Sequence, residues 1–221
     1  MGKYLIVGGG ISGCTAAFEL ARLGHEATVL ERESRFGGKV LDYCCKATDR
    51  CSRCGVCVAV SQLAAAAAQE RVRISTGSTI RQVRWNGAVE AQIVRRNPYI
   101  DPGRCIACDA CLQACPARCI ERLQKGELVQ YVVDYAACRL HQGKPCEACL
   151  KACPAGAVAA GAAESFMELR ADALLVATGH QPYDAARKIR LGYGRLPGVL
   201  TGAEAEAVSY THLTLPTIYS V

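Results

Sequence analysis

The chain has 221 residues, room for one or two domains, and 51% of them are apolar, enough for a proper core. Its 15 cysteines come without a charged–apolar–small leader, which argues against a secreted disulfide scaffold and for metal binding in a cytoplasmic protein; no apolar run approaches the roughly eighteen residues that span a bilayer. The formal charge of +6 is not gathered into a lysine-rich run, so no nucleic-acid partner is indicated.

Residues 3–7, KYLIV, read as a short buried strand. Gly8, Gly10 and Gly13 follow in the frame G-x-G-x-x-G. A helix over 14–23 comes next, stopped by Gly24, and a second strand over 27–30 ends at Glu31. This is the dinucleotide fingerprint in its full context. Gly8 permits the turn, Gly10 lets the backbone approach a pyrophosphate, and Gly13 lets the helix pack on the strand. The helix N-terminus turns its free N–H groups to the phosphates, and Glu31 is placed for ribose hydroxyls. The motif alone does not choose between NAD and FAD. Gly37-Gly38, a few residues after the acid, is either an extension of the site or only a loop.

CCKATDRCSRCGVC holds Cys44, Cys45, Cys51, Cys54 and Cys57. Cys51-x2-Cys54-x2-Cys57 repeats the three-ligand face of an iron–sulfur run, with Cys44 or Cys45 as a fourth ligand. A zinc site and redox-active thiols remain open for this segment. Residues 61–70 read as an alanine-rich helix and 72–75 as a strand. Residues 79–85 and 89–95 form a hairpin across Asn86-Gly87, and Pro98 and Pro102 mark a boundary.

Cys105, Cys108, Cys111 and Cys115 then stand in the spacing C-x2-C-x2-C-x3-C, with Pro116 directly after. That is the bacterial-ferredoxin run for a 4Fe–4S cluster, in which the fourth cysteine serves the other cluster of a pair. A second run gives Cys146, Cys149, Cys153 and Pro154. Its first cysteine would fall at Gly143, and Cys138 lies five residues earlier, behind a longer loop. The natural assignment is crossed: Cys105, Cys108, Cys111 and Cys153 for one cluster; Cys146, Cys149, Cys115 and Cys138 for the other. Zinc is the competing reading, but four ligands suffice for zinc and these runs present eight. Each cluster with its thiolates is net about −2, so two or three would remove about four to six of the formal positive charges.

Residues 166–170 read as a strand returning to the hairpin, and 173–176 as a buried strand ending in Ala177-Thr178-Gly179. The cysteine module is therefore expected to be inserted into the nucleotide domain. Cys14 and Cys119 read as small buried packing residues, and His141 as part of a surface loop. Residues 208–221, containing VSYTHLTLPT, share no pattern with what precedes them. They resemble the translation of a sequencing-library adapter, are set aside from fold reasoning, and imply that the natural protein continues differently.

The order of these parts resembles the A subunit of the heterodisulfide reductases and of their bacterial homologues, quinone-interacting complexes included. The resemblance covers about residues 3–206. It rests on GGGISG with Glu31, the two Cys-Pro runs, VATGHQPYD and the Tyr-Gly-x-x-Pro segment at Tyr193. It implies FAD at Gly8, Gly10, Ser12, Gly13, Glu31, Arg32, Gly38, Thr178 and Gly179. It also implies two 4Fe–4S clusters, or three if Cys45, Cys51, Cys54 and Cys57 hold one. The fold expected is α/β: a truncated FAD-binding Rossmann-like domain of the two-dinucleotide-binding type over 1–97 and 164–207, interrupted by a ferredoxin-like α+β two-cluster module over 98–163. The function implied is an oxidoreductase subunit passing electrons between flavin, clusters and partner subunits. Its donor would be a ferredoxin, a hydrogenase or an NAD(P)H oxidoreductase. Two alternatives stand beside it: a flavin-dependent NAD(P)H oxidoreductase of the glutamate synthase small-subunit type, and a non-catalytic electron-transfer module. No catalytic acid, base or nucleophile can be named.

Overall fold

The computed structural model describes residues 1–43, 54–159 and 162–205. The expected tail and the cysteines Cys44, Cys45 and Cys51 lie outside them. In chain order the elements are β1 (Lys3–Val7), α1 (Ile11–Arg22), β2 (Glu26–Leu30), α2 (Val56–Ala67), β3 (Val72–Ser75), β4 (Ser78–Trp85), β5 (Val89–Arg96), β6 (Tyr99–Ile100), α3 (Ala110–Ala114), β7 (Ile120–Lys125), β8 (Leu128–Val133), α4 (Ala148–Ala152), β9 (Val158–Ala159), β10 (Glu164–Ala171) and β11 (Ala173–Val176).

Four parallel strands in the order β11-β1-β2-β3 make the main sheet. The apolar run of β1 fits this place, since a parallel strand is covered on both faces. Leu5 faces one core with Leu30, Val89, Ala91 and Ile93. Ile6 faces the other, with Cys14, Ala17, Phe36, Val60 and Leu63. Both side chains are fully buried, and so contribute about 1.5–3 kcal/mol each. The mixed α/β architecture and parallel sheet are as expected.

Two helix starts differ from the sequence reading. α1 begins at Ile11 rather than Cys14, because its N-cap is Gly10, which leaves no side-chain cap signal. α2 runs Val56–Ala67 rather than 61–70; its N-cap is Gly55 with φ +84°, so Cys57 stands in the first turn.

The hairpin β4–β5 is joined by β10 into a three-stranded antiparallel sheet in the order β10-β5-β4. β10 pairs with β5 along its whole length, with Glu164 opposite Arg96 and Ala171 opposite Val89. The chain therefore leaves this sheet after Arg96 and re-enters it beside the same residue. The intervening segment contains two short antiparallel pairs, β6–β9 and β7–β8, and the two five-residue helices α3 and α4.

Long-range contacts tie this segment to the half that holds the parallel sheet. The Phe36 amide donates to Gln130 Oε1 at 3.0 Å, and Gln130 Nε2 donates to the Phe36 carbonyl at 2.9 Å. Tyr99 Oη donates to the Ile74 carbonyl at 2.7 Å. Lys125 Nζ donates to the carbonyls of Leu41 and Tyr43, and Leu128 joins the core around Ile6.

Candidate functional site: a glycine turn and two cysteine cavities

At the end of β1 the backbone itself demands glycine. Gly8 has φ +110°, and a Cβ there would lie 2.2 Å from the Ala177 carbonyl oxygen. A Cβ on Gly13 would lie 2.0 Å from the Gly8 oxygen. Gly10 is different: a Cβ there would meet nothing within 4 Å, so the turn is open at this point. Behind it α1 begins with no side-chain cap and no acid in its first turn, leaving N–H groups and a positive dipole end for an anion. Ser12 is exposed in that first turn.

Glu31 closes the turn from the side. Its Oε2 accepts from the Gly9 amide and its Oε1 from the Glu33 amide, both at 2.9 Å. A carboxylate has about four lone-pair sites, so capacity remains for a ribose hydroxyl. Gly37 donates to the Gly9 carbonyl at 2.6 Å and bridges to Gly10. A Cβ on Gly38 would approach Gly10 Cα at 3.1 Å. The Gly37-Gly38 pair therefore lies on the glycine turn rather than in a remote loop. Thr178 backs Gly8, with its Cα 3.0 Å from where a Cβ would stand, and both Thr178 and Gly179 are exposed. Arg32 is an exposed side chain paired with Glu33 at 3.2 Å, and its carbonyl accepts from Arg96. Cys14 is fully buried and its thiol donates to the Gly9 carbonyl at 3.4 Å. Burial, followed by the charge of Glu31, pushes that thiol up to about 12.

The segment between β5 and β10 holds two cavities. One is lined by Cys105, Cys108, Cys111 and Cys153, with Ile106, Asp109 and Tyr131. The other is lined by Cys115, Cys119, Cys138, Cys146 and Cys149, with Pro98 and Leu140. The crossing has a simple structural cause. Cys111 lies in α3 and Cys115 caps its C-terminus; Cys149 lies in α4 and Cys153 caps its C-terminus. With α3 packed on α4, each capping cysteine reaches the cavity of the other helix. Tight loops carry the remaining thiols: Ala107 and Asp109 adopt φ of +55° and +62°.

Burial dominates the thiol chemistry of these cavities. It raises Cys105 and pushes Cys111 and Cys149 up to about 11. At Cys115 burial is outweighed by hydrogen bonds from the backbone and side chain of Cys119 and from Ala117 and Arg118, so that thiol is lowered. Among the described residues, no three His, Cys, Asp or Glu side chains are gathered to hold a single metal ion. Thiols spread around a cavity suit a polyatomic core better than one tetrahedral zinc.

Asp109 joins Tyr131 and Arg122 at the edge of the first cavity: Tyr131 Oη donates to Oδ1 at 2.5 Å and Arg122 pairs with Oδ2 at 3.0 Å. Neither Tyr131 nor Arg122 carried a motif signal. His141 is half-buried, its ring lies tilted against that of Tyr135 with centroids 5.1 Å apart, and it stands 3.3 Å from the Ala163 carbonyl. Cys119 is buried, as expected of a packing residue, but it also lines the second cavity, which the sequence reading missed. Cys54 and Cys57 are exposed; Cys45 and Cys51, their expected companions, lie outside the described residues. An open groove on the outer face of β10-β5-β4, lined by Gln82, Arg84, Glu90, Gln92, Glu168 and Arg170, contains none of these groups.

Among the described residues no helix is long and apolar enough to cross a membrane. Two family patterns match the chain: an NAD(P)-binding Rossmann-like domain over residues 6–51 and a 4Fe-4S binding domain over 98–121. The A subunit of the H(2):CoB-CoM heterodisulfide,ferredoxin reductase of Methanothermobacter marburgensis is 26% identical over 216 residues, 92% of this chain and 32% of that protein. The A subunit of the Ferredoxin:CoB-CoM heterodisulfide reductase of Methanosarcina mazei is 28% identical over 218 residues, 92% of this chain and 27% of that protein. The chain thus spans about a third of the length of the curated relatives it matches. Among solved structures, the L-proline dehydrogenase from P. horikoshii matches at TM-score 0.33 and 23% identity over 42% of this chain and 19% of that one. The chain is similar to the A subunit of heterodisulfide reductases over most of its own length, and combines a Rossmann-like nucleotide-binding domain with a 4Fe–4S binding domain.

Proposed function

We propose that this chain is the flavin- and cluster-bearing part of an electron-transfer subunit in a heterodisulfide reductase-like complex, a cytoplasmic oxidoreductase assembly. The observation that carries the reading is the pair of cysteine-lined cavities, each supplied by both Cys-Pro runs. Residues 98–163 act as an inserted two-cluster module, with 1–97 and 164–207 as the nucleotide-binding domain. Cys105, Cys108, Cys111 and Cys153 hold one 4Fe–4S cluster; Cys115, Cys138, Cys146 and Cys149 hold the other. Cys45, Cys51, Cys54 and Cys57 are assigned to a third.

FAD is assigned to the glycine turn. Gly10 admits the pyrophosphate, the α1 N-terminus and Ser12 meet its charge, Glu31 takes the ribose, and Arg32, Gly38, Thr178 and Gly179 line the remainder. When bound, the flavin and clusters supply the redox chemistry, accepting electrons in pairs and passing them singly; the protein supplies position and potential. The residues' own contributions are physical. Cys111 is buried at the first cavity and Cys119, Cys138 and Cys149 at the second, and the Asp109–Arg122 pair stands at the edge of the first. The paired bonds of Gln130 to Phe36 hold the module against the loop that carries Gly37-Gly38. Partners are the other components of such a complex and an electron donor such as a ferredoxin, a hydrogenase or an NAD(P)H oxidoreductase.

Anaerobic stopped-flow reduction of the reconstituted chain tests this. Flavin and cluster absorbance should bleach in coupled phases, and flavin that bleaches while the cluster bands persist would sink the proposal.

A further inference from the structure

The second cavity has one thiol more than a four-cornered cluster needs. Cys115 Sγ and Cys119 Sγ are 3.4 Å apart, and both line it with Cys138, Cys146 and Cys149. Thiolates on different corners of a cube point apart, so two sulfurs in hydrogen-bond contact cannot both be corner ligands as they stand. Cys115 is fixed as the ligand of the pair by symmetry. It caps α3 before a proline, as Cys153 caps α4 before a proline and lines the first cavity. Cys119 is the spare thiol.

The internal repeat says what the spare thiol is not for. ACLQACPARC over 110–119 matches ACLKACPAGA over 148–157, and the counterpart of Cys119 is Ala157. Ala157 is equally buried, its amide donates to Cys153 Sγ at 3.3 Å, and it lines the first cavity without offering a ligand. The fold therefore closes this corner with a methyl group. At Cys119 the backbone is also pinned, since its carbonyl accepts from the Asp134 amide at 2.8 Å where β7 meets β8. The backbone that carries this side chain is thus fixed with its Sγ 3.4 Å from that of Cys115. Hydrogen bonds to cluster sulfurs help to set a cluster's potential, because they stabilise the more negative, reduced state.

We propose that Cys119 is a positioning and tuning residue, whose S–H donates to the Cys115 sulfur and raises the potential of the second cluster above that of the first. The two clusters are thereby made unequal, and electrons settle on the second. This inference rests on the two-cluster reading above.

The test is an EPR-monitored redox titration of the reconstituted 221-residue chain, with iron counted on every sample. Cys119→Ala should keep its iron and lower one cluster's potential by about tenfold in the reduction equilibrium, about 59 mV for one electron. The other cluster should not move. Cys119→Ser, which keeps a donor, should fall between the two. Unchanged potentials with full iron would overturn the proposal. Loss of one cluster's iron in Cys119→Ala would overturn it too, since Cys119 would then be a ligand. Wild-type protein without iron would instead refute the two-cluster reading itself.

Discussion

Gln130 is the residue whose removal should most specifically loosen the joint between the two halves. Its side-chain amide satisfies both backbone groups of Phe36, an amide at 3.0 Å and a carbonyl at 2.9 Å, in a buried position. Gln130→Met keeps most of the volume and removes both partners. Each buried backbone group left unpaired costs about 1–3 kcal/mol, so the loss is about 2–6 kcal/mol if no water enters. The lower bound alone corresponds to exchange of the Phe36 amide about thirtyfold faster, by local opening. Hydrogen–deuterium exchange resolved to the peptide containing Phe36 reads this directly. A second effect should follow from geometry. Phe36 precedes Gly37, whose amide bonds to Gly9 and which bridges to Gly10. The same variant should therefore retain less flavin after gel filtration while its iron content holds. Protection at Phe36 within a factor of two of wild type would refute the reasoning, because the paired bonds would then not order this loop.

Gly13→Ala would place a Cβ 2.0 Å from the Gly8 oxygen, so α1 must shift. Overpacking of this kind costs about 1–3 kcal/mol, and the variant should show a lower denaturation midpoint and little bound flavin. The crossed ligand sets predict that Cys153→Ala and Cys105→Ala abolish the same EPR signal, whereas Cys115→Ala and Cys146→Ala abolish the other. Pairing of Cys153 with Cys146 instead would contradict the cavity assignment. The Cys14 thiol is raised from 9.0 to about 12 by burial and by Glu31. A raised folded-state pKa gives stability that is complete below about pH 9 and lost as pH climbs toward 12. Denaturant midpoints measured from pH 8 to 11 should therefore fall more steeply in wild type than in Cys14→Ala; equal slopes would mean the buried thiol does not ionise on unfolding.

The glycine turn and the sharing of both cysteine runs between two cavities are legible in the sequence because both depend on short fixed spacings. Gly8 and Gly13 are irreplaceable for reasons of contact within a single β–turn–α unit, and Cys-Pro marks the thiol that leaves its own helix. The sequence places the start of α1 too late because a glycine cap leaves no side-chain signature, and the start of α2 too late because Gly55 and the exposed Val58 break the apolar period. The β5–β10 pairing was anticipated from the return of an alternating strand. Contacts such as Gln130 with Phe36, 94 positions apart, carry no local signal at all. Cys119 could have been found: the internal repeat places it opposite Ala157, and an extra cysteine at an otherwise alanine position is a difference that packing does not require.

Iron, sulfide and flavin counted on one anaerobically reconstituted sample test the central claim most directly. The account predicts one FAD with about eight irons, rising to about twelve if the Cys45–Cys57 segment holds a third cluster, and matching sulfide. A colourless protein with a single zinc, no sulfide and no flavin would contradict it.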